Sequence, residues 1–402
     1  MTEQMPTESF VTNSRNGHAE PESAFASLNG VLLQWFYKLD LQAIRIVLGT
    51  IKSHYLRLGD PCWLFVVAPP GTGKTTVSIM GASRLSEIIM LSDLTENTLL
   101  SGFYGHEKPG LLEKLGSTRK EGNASITEGT GLLLVKDFTS VLLMRREKRA
   151  AILGQLREIH DGEWKRDFGT GETKIWRGRL TIVAAVTPVL DRHYSIFTVL
   201  GERFLQVRWH RPDSPQAGEM AIDQQQNEEQ IRAECQSAVA EIFRRSNATA
   251  PSLPREAKWR IAALAEVVAI GRTHVFRNSY GQREIDYAPE PEANTRISKQ
   301  LASLARGIAA LNRRDPVAEP DLQDAFRVGL DCLPDNRRKL LLAALADQDL
   351  NCVPMPRTVR RRELEELEAL GLIEPVGVIV EDCDWRLSEH VRRLLHFARV
   401  AT

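Results

Sequence analysis

The chain has 402 residues, 43% hydrophobic and 26% charged, a composition that excludes a mostly disordered chain and allows two or three domains. Its 52 Lys plus Arg balance 52 Asp plus Glu, which excludes a uniformly basic coat for nucleic acid but leaves room for a local basic patch. The five cysteines are scattered without a CxxC pair, no apolar run approaches the ~18 residues of a membrane span, and the N-terminus has no apolar stretch, so a soluble cytoplasmic protein with no membrane contact is expected.

Residues 1–27 are rich in Ser, Thr, Asn, Glu and Pro and read as a disordered tail. Leu32, Leu33, Phe36, Leu39, Ile44, Leu48 and Ile51 recur at helical spacing, which predicts one or two helices over residues 28–57. Residues 63–68 form a short apolar run, followed at once by Pro69-Pro70-Gly71-Thr72-Gly73-Lys74-Thr75-Thr76. That is the pattern of a buried strand, a glycine-containing loop and a helix. Further buried strands are predicted at 88–91, 131–137, 180–187 and 204–209, with helices between most of them. The expected fold is α/β, with a largely parallel five-stranded sheet in a core spanning 28–212. Residues 213–230 are polar and Gln-rich and read as a boundary. Helices follow at 231–245, 258–270, 293–311 and 319–332, with a loop at 276–291, giving a helical unit over 213–335. Residues 336–402 read as a third small domain. It has helices at 337–346 and 356–371, strands at 372–380 and 384–387, and a last helix at 388–398, with Thr358 as a possible N-cap.

The loop after the first strand fits the phosphate-binding spacing except at Ala68, where the pattern has Gly. Glycine lets backbone N–H groups curl around phosphate oxygens, and the following helix N-terminus favours an anion. Pro70, Gly71, Thr72, Gly73, Lys74, Thr75 and Thr76 are therefore the candidate ATP-binding residues. Lys74 would reach the outer phosphates and Thr75 would ligate Mg²⁺. Residues 131–136 are a mostly apolar run that ends in the acid Asp137, a candidate second Mg²⁺ ligand. Many motor ATPases carry Glu directly after this acid to polarise the attacking water, and here Phe138 stands there. Either Glu158, Glu96 or Asp93 takes that task, or hydrolysis is slow.

These motifs and their order resemble the AAA+ ATPase superfamily over roughly residues 40–333. The resemblance implies that residues 180–187 are the sensor 1 strand, with Thr187 at its tip orienting the hydrolytic water. Leu200-Gly201-Glu202-Arg203-Phe204 resembles the segment bearing the arginine finger, so Arg203 would reach the γ-phosphate of a neighbouring subunit. Residues 294–322 are similar to the lid helices of minichromosome-maintenance helicases, which places Arg296 as sensor 2 and leaves Arg306 structural. Gly162 to Arg179 reads as a hairpin around Gly169-Thr170-Gly171. It resembles the pre-sensor-1 hairpin of the branch that includes those helicases. Lys165, Arg166, Lys174 and Arg177, with Trp164, Phe168 and Trp176, would suit phosphate contact and base stacking. Paired aromatics across a hairpin also serve simply to stabilise it.

The C-terminal unit resembles a winged helix-turn-helix domain, with the second helix as recognition helix. Arg357, Arg360 and Arg361 lie on one face at its N-terminal end, the end that enters a major groove. The same unit, residues 337–402, has eleven basic and eleven acidic residues, which also fits a protein-binding or packing role. The leading reading is an AAA+ ATPase that forms a homo-oligomeric ring or partial ring and couples ATP to action on DNA. Helicase, replication-initiation, helicase-loading and recombination or mobile-element roles all fit. The alternatives are a slow ATP-dependent switch or adaptor for a protein partner, and a MoxR-like protein-remodelling ATPase.

Overall fold

A computed structural model of the chain describes residues 24–71, 82, 85–92, 94–95, 98–99, 110–168, 171–194, 203–210, 214–278, 284–376 and 384–399. The loop residues Thr72, Gly73, Lys74, Thr75 and Thr76, the acids Asp93 and Glu96, and the hairpin residues Gly169 and Thr170 lie outside them.

The first helix, α1 (Ala26–Trp35), buries Leu28 and Leu32, and Phe25 just before it is 1% exposed. The expected tail boundary at 27 is thereby corrected, because α1 starts at Ala26 and Phe25 before it is buried. Asp40 caps α2 (Leu41–Tyr55) by accepting the Ala43 N–H at 2.9 Å. Then come β1 (Trp63–Val67), β2 (Ile88–Leu91), β3 (Gly116–Glu121) and β4 (Ala124–Val135), a short α3 (Thr139–Leu142) and α4 (Arg146–His160). They are followed by β5 (Glu163–Asp167), β6 (Thr173–Val186) and β7 (Phe204–Arg208). The sheet order is β2-β4-β6-β1-β7, all parallel, with β3 added antiparallel to β4 and β5 antiparallel to β6. Every residue of β1 and β7 is buried, as in a parallel sheet covered on both faces. The five predicted strands are therefore present. The sequence reading missed β3, whose residues Gly116–Glu121 are all exposed and carry no apolar signal.

Strands β4 and β6 outrun the others. They pair from Ala124↔Thr173 to Val135↔Ala184, whereas β1 meets β6 only from Leu64↔Val183. Their early halves, flanked by β3 and β5, form a four-stranded ribbon that leaves the N-terminal edge of the sheet. Its hairpin through β5 and β6 is the predicted one, and Trp164 pairs directly with Trp176. A row of glycines crosses this ribbon, Gly116↔Gly129↔Gly178. A Cβ on Gly178 would stand 1.8 Å from the Gly129 carbonyl oxygen, so the row permits an approach that no side chain allows.

The remaining elements are α5 (Pro215–Asp223), α6 (Glu228–Arg245), α7 (Arg255–Gly271), β8 (Phe276–Arg277), β9 (Ile285–Tyr287) and α8 (Thr295–Leu311). After them come α9 (Glu319–Asp331), α10 (Asp335–Leu345), α11 (Arg357–Ala369), β10 (Ile373–Val376), β11 (Asp384–Leu387) and α12 (Glu389–Ala398). Three local expectations are corrected. The polar stretch after 213 is helical, started by Ser214 as cap and Pro215 at the first position. The expected loop after 276 contains the β8–β9 pair. Pro356, not Thr358, is the N-cap of α11.

Helix α8 crosses α2 at a glycine contact, where a Cβ on Gly307 would lie 2.1 Å from the Gly49 carbonyl oxygen. Its first half sits beside the entry to β1. The Cys62 thiol is 3.9 Å from the Gln300 carbonyl, and the Ser303 hydroxyl is 3.4 Å from that of Leu58. One buried apolar cluster runs from Phe25 through the sheet and helices to Ala398. Among the described residues, no helix is long and apolar enough to cross a membrane.

Candidate nucleotide site

The C-terminal edge of the sheet brings three predicted residues or motifs together. Because β6 lies between β4 and β1, Thr187 at the end of β6 stands between Asp137, after β4, and the loop that starts at Ala68. Backbone bonds set the spacing: Ala68 N–H donates to Val186 O at 3.0 Å and Phe138 N–H to Ala185 O at 2.8 Å. The exposed Asp137 carboxylate accepts the Thr139 N–H at 2.8 Å. The Thr139 hydroxyl accepts the Thr187 N–H at 3.1 Å and lies 3.3 Å from the Thr187 hydroxyl. Thr139 thus ties the strand-end acid to the predicted sensor, a role the sequence reading did not assign.

The Phe138 ring points the other way. It is 0% exposed, and its centroid lies 5.0 Å from that of Phe65 and 5.8 Å from that of Phe204. Burial in this aromatic cluster explains the residue better than any contact with a phosphate.

A cleft of about 660 Å³ opens beside Pro70 and Gly71, within the ordinary range for small-molecule sites. Its walls include Trp35 at the end of α1, Phe36 and Tyr37 just after it, Met220 from α5 and Ile231 from α6. A hydrogen bond with Ser214 and the neighbouring Lys38 hold the Tyr37 phenol below its usual pKa. The aromatic triplet is visible in the sequence. Its place beside Pro70 and Gly71 was not legible, because more than thirty residues separate the two in the chain.

The other predicted residues lie at the opposite edge. Arg203 immediately precedes β7, whose first residue pairs with Trp63 at the start of β1. The Arg203 guanidinium binds Asp161 at 2.9 Å and is 10% exposed. Arg296, at the start of α8, is near enough for the Arg203 charge to act on it. Burial, Arg203 and Arg272 together lower its pKa. Arg296 is therefore grouped with Arg203 and stands away from the loop of its own chain. Asp161 is held below its usual pKa: burial raises it, but the Arg203 bond and charge outweigh that. His160 beside it is pushed down to about 4 by burial, with the charges of Arg203 and Arg296 adding to the effect.

Glu158 belongs to the same edge. Helix α4 runs back from the C-terminal edge and ends at His160, whose ring meets that of Trp63 at 5.0 Å. Glu158 is thereby removed as a candidate to activate water beside Asp137, since about four strand residues at ~3.3 Å each separate the two edges.

The predicted nucleic-acid residues divide into two sites. On the ribbon, Lys174 binds Glu113 at 2.7 Å, Arg177 binds Glu163 at 3.3 Å, and Lys165 lies 3.8 Å from Asp167. Arg166 is exposed, with its guanidinium carbon 5.6 Å from the Phe168 ring centroid. Trp164 and Trp176 are 4% and 1% exposed, so both are core residues and the expectation that they stack on bases is corrected. On α11, Arg357 and Arg361 are exposed, Arg361 pairs with Glu365 at 3.1 Å, and Arg360 donates to the Val353 carbonyl at 3.2 Å. Among the described residues, no three His, Cys, Asp or Glu side chains converge as a metal cluster.

No protein-family model matches the chain, and no curated protein matches it. Among solved structures, a full-length MCM homolog from Methanopyrus kandleri is similar over 80% of this chain and 63% of its own, with a TM-score of 0.34 and 13% identity. The Aeropyrum pernix ORC2 protein, solved in ADPNP–ADP complexes, is similar over 89% of this chain and 91% of its own, with a TM-score of 0.26 and 15% identity. The chain thus spans less than two thirds of the length of the MCM homolog.

Proposed function

We propose that the chain is an AAA+-type ATPase that binds ATP between copies of itself and acts on DNA. The observation that carries this reading is the division of residues between the two edges of one sheet. Asp137, Thr139 and Thr187 stand at the edge where the phosphate loop begins, and Arg203 and Arg296 stand at the other. In a head-to-tail assembly the second edge of one subunit faces the first edge of the next.

The residues fit a bound MgATP. The cleft walled by Trp35, Phe36 and Tyr37 offers apolar surface for the base, next to Pro70 and Gly71. Thr72, Gly73, Lys74 and Thr76 would hold the phosphates, and Thr75 with Asp137 would hold Mg²⁺. The metal ion neutralises charge on the outer phosphates when bound. Thr187, fixed by Thr139, orients water. Arg203 and Arg296 would both come from the neighbour, and Asp161 keeps Arg203 positioned until that neighbour docks.

Arg166 and Lys165 on the ribbon would contact DNA. So would Arg357 and Arg361 on α11, which we read as the recognition helix of a winged helix with β10 and β11 as its wing. Phe138 favours a second reading, a slow ATP-gated switch, because the position next to Asp137 offers no base.

The test is nucleotide binding and turnover by the full chain and by Lys74→Ala, with and without single- and double-stranded DNA. The proposal expects ATP binding that Lys74→Ala abolishes and turnover that DNA raises. ATP binding without turnover would favour the switch, and no ATP binding would overturn both readings.

A further inference from the structure

The seam between α7 and α12 combines two exposed aromatic rings with a basic surround. Helix α12 buries Val391, Leu395 and Ala398, so His390, Arg393 and Phe397 share its outer face. Helix α7 buries Ala257, Arg260 and Ile261 and leaves Lys258 and Trp259 outside. Trp259 is 58% exposed and Phe397 is 52% exposed.

The two rings belong to the same end of the seam. Arg260, next to Trp259, donates to the carbonyl oxygen of Ala398, next to Phe397, at 3.0 Å. Arg399 binds Glu256 across the same junction at 3.0 Å. Arg260 is itself locked by two bonds to Glu319, at 2.6 and 2.8 Å, so the junction is rigid.

Charge selects the occupant. Arg255, Lys258 and Arg393 are exposed and have no ion pair among the described residues. Of the nearby acids, Glu256 is already occupied by Arg399. The cations that the sequence singles out are more engaged: Lys174, Arg177 and Arg361 each hold a carboxylate. A single exposed aromatic on a surface is ordinary. Two at one rigid junction among unpaired cations form a platform on which unpaired bases stack while phosphates meet Lys and Arg.

We infer that the α7–α12 seam is a binding surface for single-stranded nucleic acid, with Trp259 and Phe397 stacking on bases and Arg255, Lys258 and Arg393 meeting phosphates. Duplex DNA, with its bases already stacked in pairs, would not use the rings. The inference rests on the proposed action on DNA and refines it by naming the strand form and the surface.

The test is fluorescence anisotropy of a labelled oligo(dT) of about 16 nucleotides with the full chain. The variants are Trp259→Ala/Phe397→Ala, Lys258→Glu/Arg393→Glu and Arg357→Ala/Arg361→Ala, each checked by thermal melting and by binding of a fluorescent ATP analogue. The aromatic pair should weaken binding by roughly tenfold or more, without changing ATP binding. The charge pair should weaken it and flatten its salt dependence. All of the altered side chains are exposed or half-buried, and the charge pair tests the surface independently of the rings.

Full affinity in both seam variants, with loss only in the α11 variant, would overturn this surface and leave the DNA proposal standing. No binding by the unaltered chain would overturn the DNA proposal and this surface together, while the ATP measurement would still judge the nucleotide site. Polyglutamate competing as well as oligo(dT) would show an acidic-peptide surface and overturn the inference.

Discussion

Phe138 follows the strand-end carboxylate Asp137, and in the sequence it looks like a loss of function at a position where Glu would help hydrolysis. In the fold its ring is fully buried against the stacked pair Phe65 and Phe204, while its backbone N–H is bound to the Ala185 carbonyl. Restoring a carboxylate there would place an unpaired charge in an aromatic core. Phe138→Glu should therefore lower stability by more than about 4 kcal/mol and gain no turnover, measured by chemical denaturation alongside ATP hydrolysis. A stable and faster variant would show that the side chain can reach the phosphate edge. The motif alone could not give the direction of this side chain, because the turn after β4 sets it.

At the scale of elements, glycine is required by a close approach at one position and not at another. In the ribbon, Gly178 lies against the Gly129 carbonyl with no space for a Cβ. In α4, Gly154 has nothing within 4 Å of its would-be Cβ. The same substitution should act oppositely at the two sites. Gly178→Ala should destabilise by about 1–3 kcal/mol through overpacking. Gly154→Ala should stabilise by about 0.5–1 kcal/mol, because Ala loses less backbone freedom in a helix. Urea denaturation of the two variants checks the pair, and a loss of stability in both would contradict the open space around Gly154. The long helices that bury an apolar stripe and the buried strands were legible because their apolar patterns are strong, whereas α5, which buries no residue, was not. Strand β3 was not, because it is solvent-exposed on every residue and pairs only at the sheet margin. The β8–β9 pair was missed for a similar reason: it is two and three residues long.

For the whole molecule, the separation of Arg203 and Arg296 from the Ala68–Gly71 end of the sheet makes the proposed head-to-tail assembly testable by mixing. On that proposal, a subunit lacking Lys74 would lose its own site but still present its arginines. A subunit lacking Arg203 would keep its loop but fail its neighbour. Lys74→Ala and Arg203→Ala should each be nearly inactive alone, and mixing them should restore part of the turnover, because some junctions then pair an intact loop with an intact arginine. Turnover that stays absent in every mixture would place Arg203 outside the nucleotide site. Arg296→Ala should behave as Arg203→Ala does in the same mixing assay, since the two guanidiniums share one edge.

The sequence by itself determined the α/β class, the strand that leads into the glycine-containing loop, the strand just before Asp137, and the hairpin that pairs β5 with β6. Those depend on local apolar period, turn residues and short motifs, which are read within a dozen residues. Only the tertiary structure decided which residues share an edge. The sheet order places Thr187 between Asp137 and the loop, sends Glu158 to the far end, and joins Arg296 to Arg203 across more than ninety residues of chain. It also turned Trp164 and Trp176 inward and left Trp259 and Phe397 outside. The physical reason is the same in each case: an aromatic or charged side chain has no fixed role until strand order and helix packing determine whether it meets the core, a counter-charge or solvent.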